Sequence, residues 1–112
     1  MKGLFHYFLL DKDAAAVVLG EAVGATTLVL VTDVESCYSG YGTSKPTPIL
    51  KLTPSMAKTL EDEFSPGSML PKVRACAEFV KKPGNVAIIC GLSNLEEAIL
   101  GKGGTHFKND TF

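Results

Sequence analysis

One lysine of this sequence stands where it could bind a phosphate group. Lys72 follows a loop that contains Gly67 and Ser68, at the point where a helix is expected to begin. The first amide groups of a helix lack partners inside the helix, and the helix dipole favours negative charge there. An exposed first-turn lysine is the simpler alternative, but its charge is unfavourable beside that dipole unless an anion binds. We therefore predict a phosphate-handling loop.

Charged residues also follow two apolar runs of the chain. Lys12 and Asp13 follow the first run, and Asp33 follows the second. Phosphoryl transfer needs cations on the phosphoryl oxygens and reactants held in line. Lys72 and Lys12 can supply the cations, and Asp13 can orient the lysines or help to hold a magnesium-bound nucleotide. The alternatives are a solvated charge beside a helix cap for Lys12 and a turn cap for Asp33.

A polar loop over residues 35–48 adds two aromatic candidates. Tyr38 and Tyr41 can stack on an adenine, or they can simply cover the loop. The common phosphate-binding patterns GxxxxGK[ST] and GxGxxG are absent from the sequence. Any nucleotide site must therefore be built in another way.

The elements that would position these residues alternate between strands and helices. Strands are predicted at 4–10, 26–32, 49–52, 86–90 and 105–107, and helices at 14–23, 54–63, after the Gly67 loop and at 93–100. This alternation predicts an α/β fold with a parallel sheet and helices on both faces. Ligands of such sheets bind at the carboxyl ends of the strands, where Asp11–Asp13, Asp33 and Gly91–Ser93 are expected.

Three of these helices carry capping signals, and for the helix at 54–63 the signal is Thr53 followed by a proline at the first helical position. Asp11 or Asp13 can cap the helix predicted at 14–23, whose residues are good helix formers with apolar side chains on one face. Ser93–Glu96 matches the capping box of the last helix.

The composition fits one globular domain over residues 1–112. The chain is 46% hydrophobic and 21% charged, and its net charge is −1. That charge predicts neither nucleic acid nor anionic membrane as a partner, and no apolar run is long enough to span a bilayer. The N-terminal residues lack a signal-peptide cleavage site, so we predict a cytoplasmic protein.

The cysteines and histidines indicate no metal centre. Cys37, Cys76 and Cys90 are widely spaced and form no CxxC pattern, so neither a zinc site nor a disulfide framework is predicted. We expect reduced thiols that pack as small apolar residues. His6 and His106 have no neighbours at metal-ligand or catalytic spacing, which favours ordinary packing or surface roles.

Two motifs resemble those of carbamate kinases. Leu10–Ala14, followed by Gly24–Ala25 and by Leu28–Val34 with Tyr38, resembles that family's DKD…GAD…LTDVDxVY run. Pro66–Val73 resembles its PGSM(G/L)PKV loop. The DKD pattern distinguishes carbamate kinases from other amino acid kinases, and PGSMLPK is highly specific. The resemblance extends over most of the chain, from about residue 10 to residue 107.

The resemblance implies a three-layer α/β/α sandwich with a mainly parallel sheet, as in amino acid kinases. It implies phosphoryl transfer between ATP and carbamate, with Mg²⁺ and ATP or ADP, in arginine or agmatine breakdown. Lys72 would act on the transferring phosphoryl group, and Lys12 and Asp13 would organise the phosphates and the lysines. The residues that would surround the nucleotide are Thr32, Asp33, Val34, Tyr38, Gly67, Ser68 and Met69.

The matching motifs belong to the C-terminal, nucleotide-binding half of a carbamate kinase. The glycine-rich loops that bind carbamate in that family are not in this sequence, so turnover of carbamate or carbamoyl phosphate is expected only with the other half supplied. A half sheet would have an open edge, which predicts self-association or a partner chain. The alternatives are a non-catalytic nucleotide-binding or partner-dependent subunit, another amino acid kinase, and a degraded gene.

Overall fold

A mixed sheet with helices on its two faces forms the body of the molecule. The computed structural model describes residues 4–11, 14–20, 26–40 and 44–110. The strands of this part are β1 (Leu4–Asp11), β2 (Ala14–Gly20), β3 (Thr26–Thr32), β4 (Cys37–Ser39), β5 (Thr47–Ile49), β6 (Lys51–Leu52), β7 (Asn85–Gly91) and β8 (Thr105–Phe107). Its α-helices are α1 (Pro54–Thr59), α2 (Met69–Phe79) and α3 (Leu95–Ile99).

The main sheet has parallel pairing at its centre. Its strand order is β1-β2-β3-β7-β8-β6, and β4 pairs with β5 in a separate two-stranded ribbon. The central pair β3–β7 is parallel, as is the edge pair β6–β8. The pairs β1–β2, β2–β3 and β7–β8 are antiparallel. Because β1 and β3 run in the same direction, the carboxyl ends of β1, β3 and β7 lie at one edge of the sheet.

The prediction of a helix at 14–23 is wrong for its described part. Residues 14–20 form β2, which pairs with β1 on one side and β3 on the other. A short apolar run cannot be assigned to helix or strand by periodicity alone. The β-branched Val17 and Val18 favour a strand once neighbours are present on both sides. No helix follows Asp11 at this point, so the capping role predicted for Asp11 or Asp13 does not arise.

The other predicted elements are confirmed with small changes of boundary. The strands at 4–10, 26–32, 86–90 and 105–107 correspond to β1, β3, β7 and β8. The strand expected at 49–52 is divided between β5 and β6. The helix expected at 54–63 is α1 followed by a 3-10 turn at Glu61–Glu63. Among the described residues, no helix has the length and apolar character needed to cross a membrane.

The core lies on both faces of the sheet, as the α/β/α architecture predicts. Neighbouring residues of β3, Val29 and Leu30, point to opposite faces and are both fully buried. On the Leu30 face the sheet packs against α1 and α2, through Ala57 and Val73. On the Val29 face it packs against α3, through Ala98. The three-layer sandwich is therefore confirmed. It places the end of β3 beside the start of α2, where the cleft described next is found.

Candidate functional site

An open cleft lies at the carboxyl end of β3, beside the start of α2. It measures about 150 Å³, and it is lined by Thr32, Asp33, Val34, Ser36, Tyr38, Glu63, Phe64, Ser65, Ser68, Met69 and Lys72. The structure thus brings together seven residues that the sequence analysis assigned to one site: Thr32, Asp33, Val34, Tyr38, Ser68, Met69 and Lys72. They come from three segments that are up to 40 residues apart in the chain.

The turn after β7 holds the loop after β3 in place. Asn94 Oδ1 accepts a hydrogen bond from the Gly91 amide at 2.8 Å, and Asn94 Nδ2 donates to the Glu35 carbonyl at 3.0 Å. Ser93 Oγ donates to Glu35 Oε2 at 2.6 Å. The backbones approach so closely that a Cβ on Gly91 would lie 3.0 Å from the Val34 carbonyl oxygen. This contact fixes the wall of the cleft that begins at the end of β3.

The bonds of Ser93 and Asn94 correct the capping box predicted for this turn. Ser93 donates to Glu35 rather than capping α3, and α3 begins at Leu95 with no side-chain cap from Asn94. The pattern in the sequence is that of a local cap, but its side chains are used in a contact with a loop 58 residues away. Local spacing could not reveal that partner.

We expect Asn94→Ala to lower the free energy of unfolding by about 1–3 kcal/mol, because it leaves the Gly91 amide and the Glu35 carbonyl without their partner. Chemical denaturation measures this change. Asn94→Asp is the matched control, since it keeps the acceptor for Gly91 and should retain part of the stability. A loss below about 0.5 kcal/mol for Asn94→Ala would contradict the role assigned to this bridge.

The start of α2 is capped from within its own loop. Ser65 Oγ accepts from the Met69 amide at 3.3 Å, and the Ser65 carbonyl accepts from the Leu70 amide at 3.0 Å. Ser65 Oγ also shares a hydrogen bond with Ser68 Oγ. Pro71 occupies the third helical position and has no amide hydrogen. The expectation that the first amides of this helix are free for an anion is therefore wrong, because Ser65 already bonds two of them.

Lys72 is the basic residue among the described residues that line the cleft. Its side chain is half-buried, and Nζ donates to the Ser68 carbonyl at 3.2 Å, one turn back along the helix. It forms no ion pair with a carboxylate of the described residues. The ammonium group thus lies near the N-terminus of α2, where the helix dipole repels a positive charge and favours a bound anion.

The ribbon of β4 and β5 contributes Tyr38 to the lining of the cleft. Thr105, which is fully buried, accepts a hydrogen bond from the Cys37 amide at 2.8 Å and donates to the Ile49 carbonyl at 2.6 Å. This one hydroxyl ties both strands of the ribbon to β8. It thereby fixes the position of Tyr38, which is partly exposed and lines the cleft.

Glu63 joins that ribbon to the segment before α2. Its Oε1 accepts from the Gly40 amide at 2.8 Å and from Ser39 Oγ at 3.4 Å. Its neighbour Phe64 is buried in the core, at 4% exposure. The 3-10 turn is therefore held in place by the buried ring of Phe64 and by the hydrogen bonds of the Glu63 carboxylate.

Four predicted residues remain to be considered: Gly67, Lys12, Asp13 and Tyr41. Gly67 is exposed in the loop before α2 but does not line the cleft, and a Cβ added there would meet nothing within 4 Å. Lys12, Asp13 and Tyr41 lie outside the described residues. The register places Asp11 and Ala14, which flank the first two, at the same edge of the sheet as the end of β3.

Four residues of the cleft were not predicted from the sequence: Ser36, Glu63, Phe64 and Ser65. Ser65 and Phe64 adjoin the motif that was identified, so their proximity to it was a usable signal. No signal in the sequence indicated Ser36 or Glu63, because their positions depend on how the ribbon folds back over the 3-10 turn.

All three cysteines are free and buried, as predicted. Burial raises the pKa of the Cys37 thiol to about 11, against a smaller opposing effect of its hydrogen bond to Thr105. Burial likewise raises the pKa of Cys76 above its ordinary value, and that of Cys90 to about 11. These thiols are therefore protonated at neutral pH and contribute as packing groups.

Comparisons with known proteins agree with the resemblance read from the motifs. A family model described as the amino acid kinase family matches residues 2–91. A carbamate kinase of Halobacterium salinarum is 39% identical over 99 residues, which is 87% of this chain and 32% of that protein. A carbamate kinase of Escherichia coli strain K12 is 37% identical over 102 residues, again 87% and 32% of the two chains.

A solved structure shares the fold. The carbamate kinase from Giardia lamblia bound to AMP-PNP superposes with a TM-score of 0.68 at 35% identity, covering 75% of this chain and 27% of that one. The chain therefore spans about a third of the length of the curated relatives that it matches.

Proposed function

Because the chain belongs to the amino acid kinase family, we propose that its cleft binds the nucleotide of a carbamate kinase-type phosphoryl transfer between ATP and carbamate. The observation that carries the proposal is the meeting of Thr32, Asp33 and Tyr38 with Ser68 and Lys72 around one cleft. These residues belong to the two motifs that resemble carbamate kinases. A relative with the same fold is a carbamate kinase bound to AMP-PNP, an ATP analogue.

The cleft has the groups that such a ligand requires. Lys72 offers an ammonium group for the phosphates, and Tyr38 offers an aromatic face for a base. Lys12 and Asp13 are proposed to reach the same edge of the sheet, from the connection between β1 and β2. In this proposal carbamate binds outside the third of the relatives that this chain matches, and turnover is proposed for the two parts together.

The donor atoms of the cleft also fit a magnesium ion that arrives with the nucleotide. Mg²⁺ is usually held by substrate phosphates, one or two carboxylates and water rather than by an all-protein cage. Asp33 provides a carboxylate in the cleft, and the described residues contain no group of three or more His, Cys, Asp or Glu that could hold a metal ion by themselves. When bound, the ion would neutralise charge on the phosphates.

The test is a calorimetric titration of the purified chain with MgADP. We expect saturable binding with one site per chain, and turnover of carbamoyl phosphate only after the carbamate-binding part of a related kinase is added. The absence of binding by a folded chain would contradict the proposal.

A non-catalytic nucleotide-binding subunit is the second candidate. It is favoured by the described lining of the cleft, which offers Lys72 for phosphates and Tyr38 for a base. This candidate predicts MgADP binding with no turnover, even in the presence of the added part.

A further inference from the structure

The charges around the cleft are unevenly distributed. Among its described lining residues, Lys72 carries the positive charge, while Asp33 and Glu63 carry negative charges. A carboxylate repels a phosphate group but accepts hydrogen bonds from hydroxyl and amino groups. If the phosphates of a nucleotide lie beside Lys72, a carboxylate elsewhere in the lining is suited to the nucleoside part of the same ligand.

Glu63 is the carboxylate that is bonded to the segment carrying Tyr38. Its Oε1 is fixed by the Gly40 amide and by Ser39 Oγ, and these residues directly follow Tyr38 in the ribbon. Asp33, by contrast, accepts a hydrogen bond from Thr32 Oγ1 at 3.2 Å, at the end of β3. Oε2 of Glu63 has no hydrogen bond to any residue in the described ranges, so one acceptor oxygen of an oriented side chain is left for a ligand.

The connections between these groups run in the same order as the parts of a nucleotide. Glu63 is bonded to the ribbon that carries Tyr38, and the short segment 64–68 connects it to the start of α2 and thus to Lys72. In a nucleotide the ribose lies between the base and the phosphates. With a base on Tyr38 and phosphates at Lys72, the ribose comes to Glu63.

We propose that Glu63 is a specificity-determining residue whose free carboxylate oxygen accepts a hydrogen bond from a ribose hydroxyl of the bound nucleotide. This inference rests on the proposed function and deepens it, because it makes the site selective for ribonucleotides. Removing a hydrogen bond to a charged group that is partly open to solvent lowers the affinity for the ligand about tenfold.

The test compares the affinities of MgADP, Mg-2′-deoxy-ADP, Mg-3′-deoxy-ADP and MgIDP for four proteins. These are the unmodified chain, Glu63→Ala, Glu63→Gln and Asp62→Ala. Glu63→Gln keeps an acceptor for the Gly40 amide but loses the negative charge. Asp62→Ala removes a neighbouring exposed charge that does not line the cleft, so it controls for net charge. Thermal unfolding of each variant verifies that the fold is retained.

We expect the unmodified chain to bind at least one deoxynucleotide about tenfold more weakly than MgADP. Glu63→Ala should lose this discrimination, Glu63→Gln should keep only part of it, and Asp62→Ala should keep all of it. Unchanged discrimination in Glu63→Ala overturns the inference while leaving the proposed function intact. Loss of discrimination against MgIDP instead would assign Glu63 to the base and would also overturn it. If the unmodified chain binds no MgADP, both the proposed function and this inference fail.

Discussion

Replacing Lys72 by alanine is expected to weaken MgADP binding by about 10- to 100-fold. A hydrogen bond between an ammonium group and a phosphate is worth about 1.5–3 kcal/mol, and no other basic residue among the described lining residues can replace it. Because the amides of Met69 and Leu70 at the start of α2 are bonded to Ser65, the helix backbone can do little to replace the lost contact between Lys72 and a phosphate. Calorimetric titration at fixed salt measures the change.

The matched control for this prediction is Lys82→Ala. Lys82 is an exposed lysine in the turn after α2, and it does not line the cleft. Its removal changes the net charge by the same amount, so a general electrostatic effect would appear in both variants. Equal affinities of Lys72→Ala and the unmodified chain would remove Lys72 from the site.

Replacing Phe107 by alanine is expected to have the largest effect on stability, a loss of about 3–5 kcal/mol. Phe107 is fully buried and belongs to the core cluster between the sheet and the helices α1 and α2. A domain of ordinary stability has about 5–15 kcal/mol in total, so the variant should be partly unfolded at moderate urea concentrations. Urea denaturation followed by circular dichroism measures the shift of the midpoint.

Two variants calibrate the Phe107 result. Phe107→Leu keeps most of the buried volume and should lose much less stability than Phe107→Ala. Leu92→Ala removes a side chain that is 78% exposed, and it should change the stability by less than about 0.5 kcal/mol. A loss for Phe107→Ala no greater than that for Leu92→Ala would contradict the placement of Phe107 in the core.

The sequence predicted the elements whose signals are local. The apolar, β-branched run Thr26–Thr32 has the bounds of β3, and the PGSMLPK motif led to the start of α2 and to Lys72. Lys72 and Asp33 could be assigned to one site because strand ends and helix starts meet at one edge of an α/β sheet. The three-layer architecture followed from the same pattern.

The remaining features depend on partners that are distant in the chain. Residues 14–20 suit a helix by composition but form β2, because they pair with a strand on either side. Ser93 and Asn94 match the pattern of a local helix cap, but they bond to Glu35 in the loop after β3. Glu63 could not be identified at all, since its position depends on a hydrogen bond to Gly40 across a turn of the ribbon.

The capping of α2 by Ser65 has a consequence for how charge is supplied to the cleft. Backbone amides are fixed in place, so a phosphate held by them would be held at one position. Here the amides of Met69 and Leu70 are occupied, and the positive charge is at the end of the flexible side chain of Lys72. An ammonium group on such a tether can follow a phosphoryl group as it moves between two oxygens, which a rigid cradle cannot do. The same tether makes the charge vulnerable, because acylation of a single amine would remove it from the cleft.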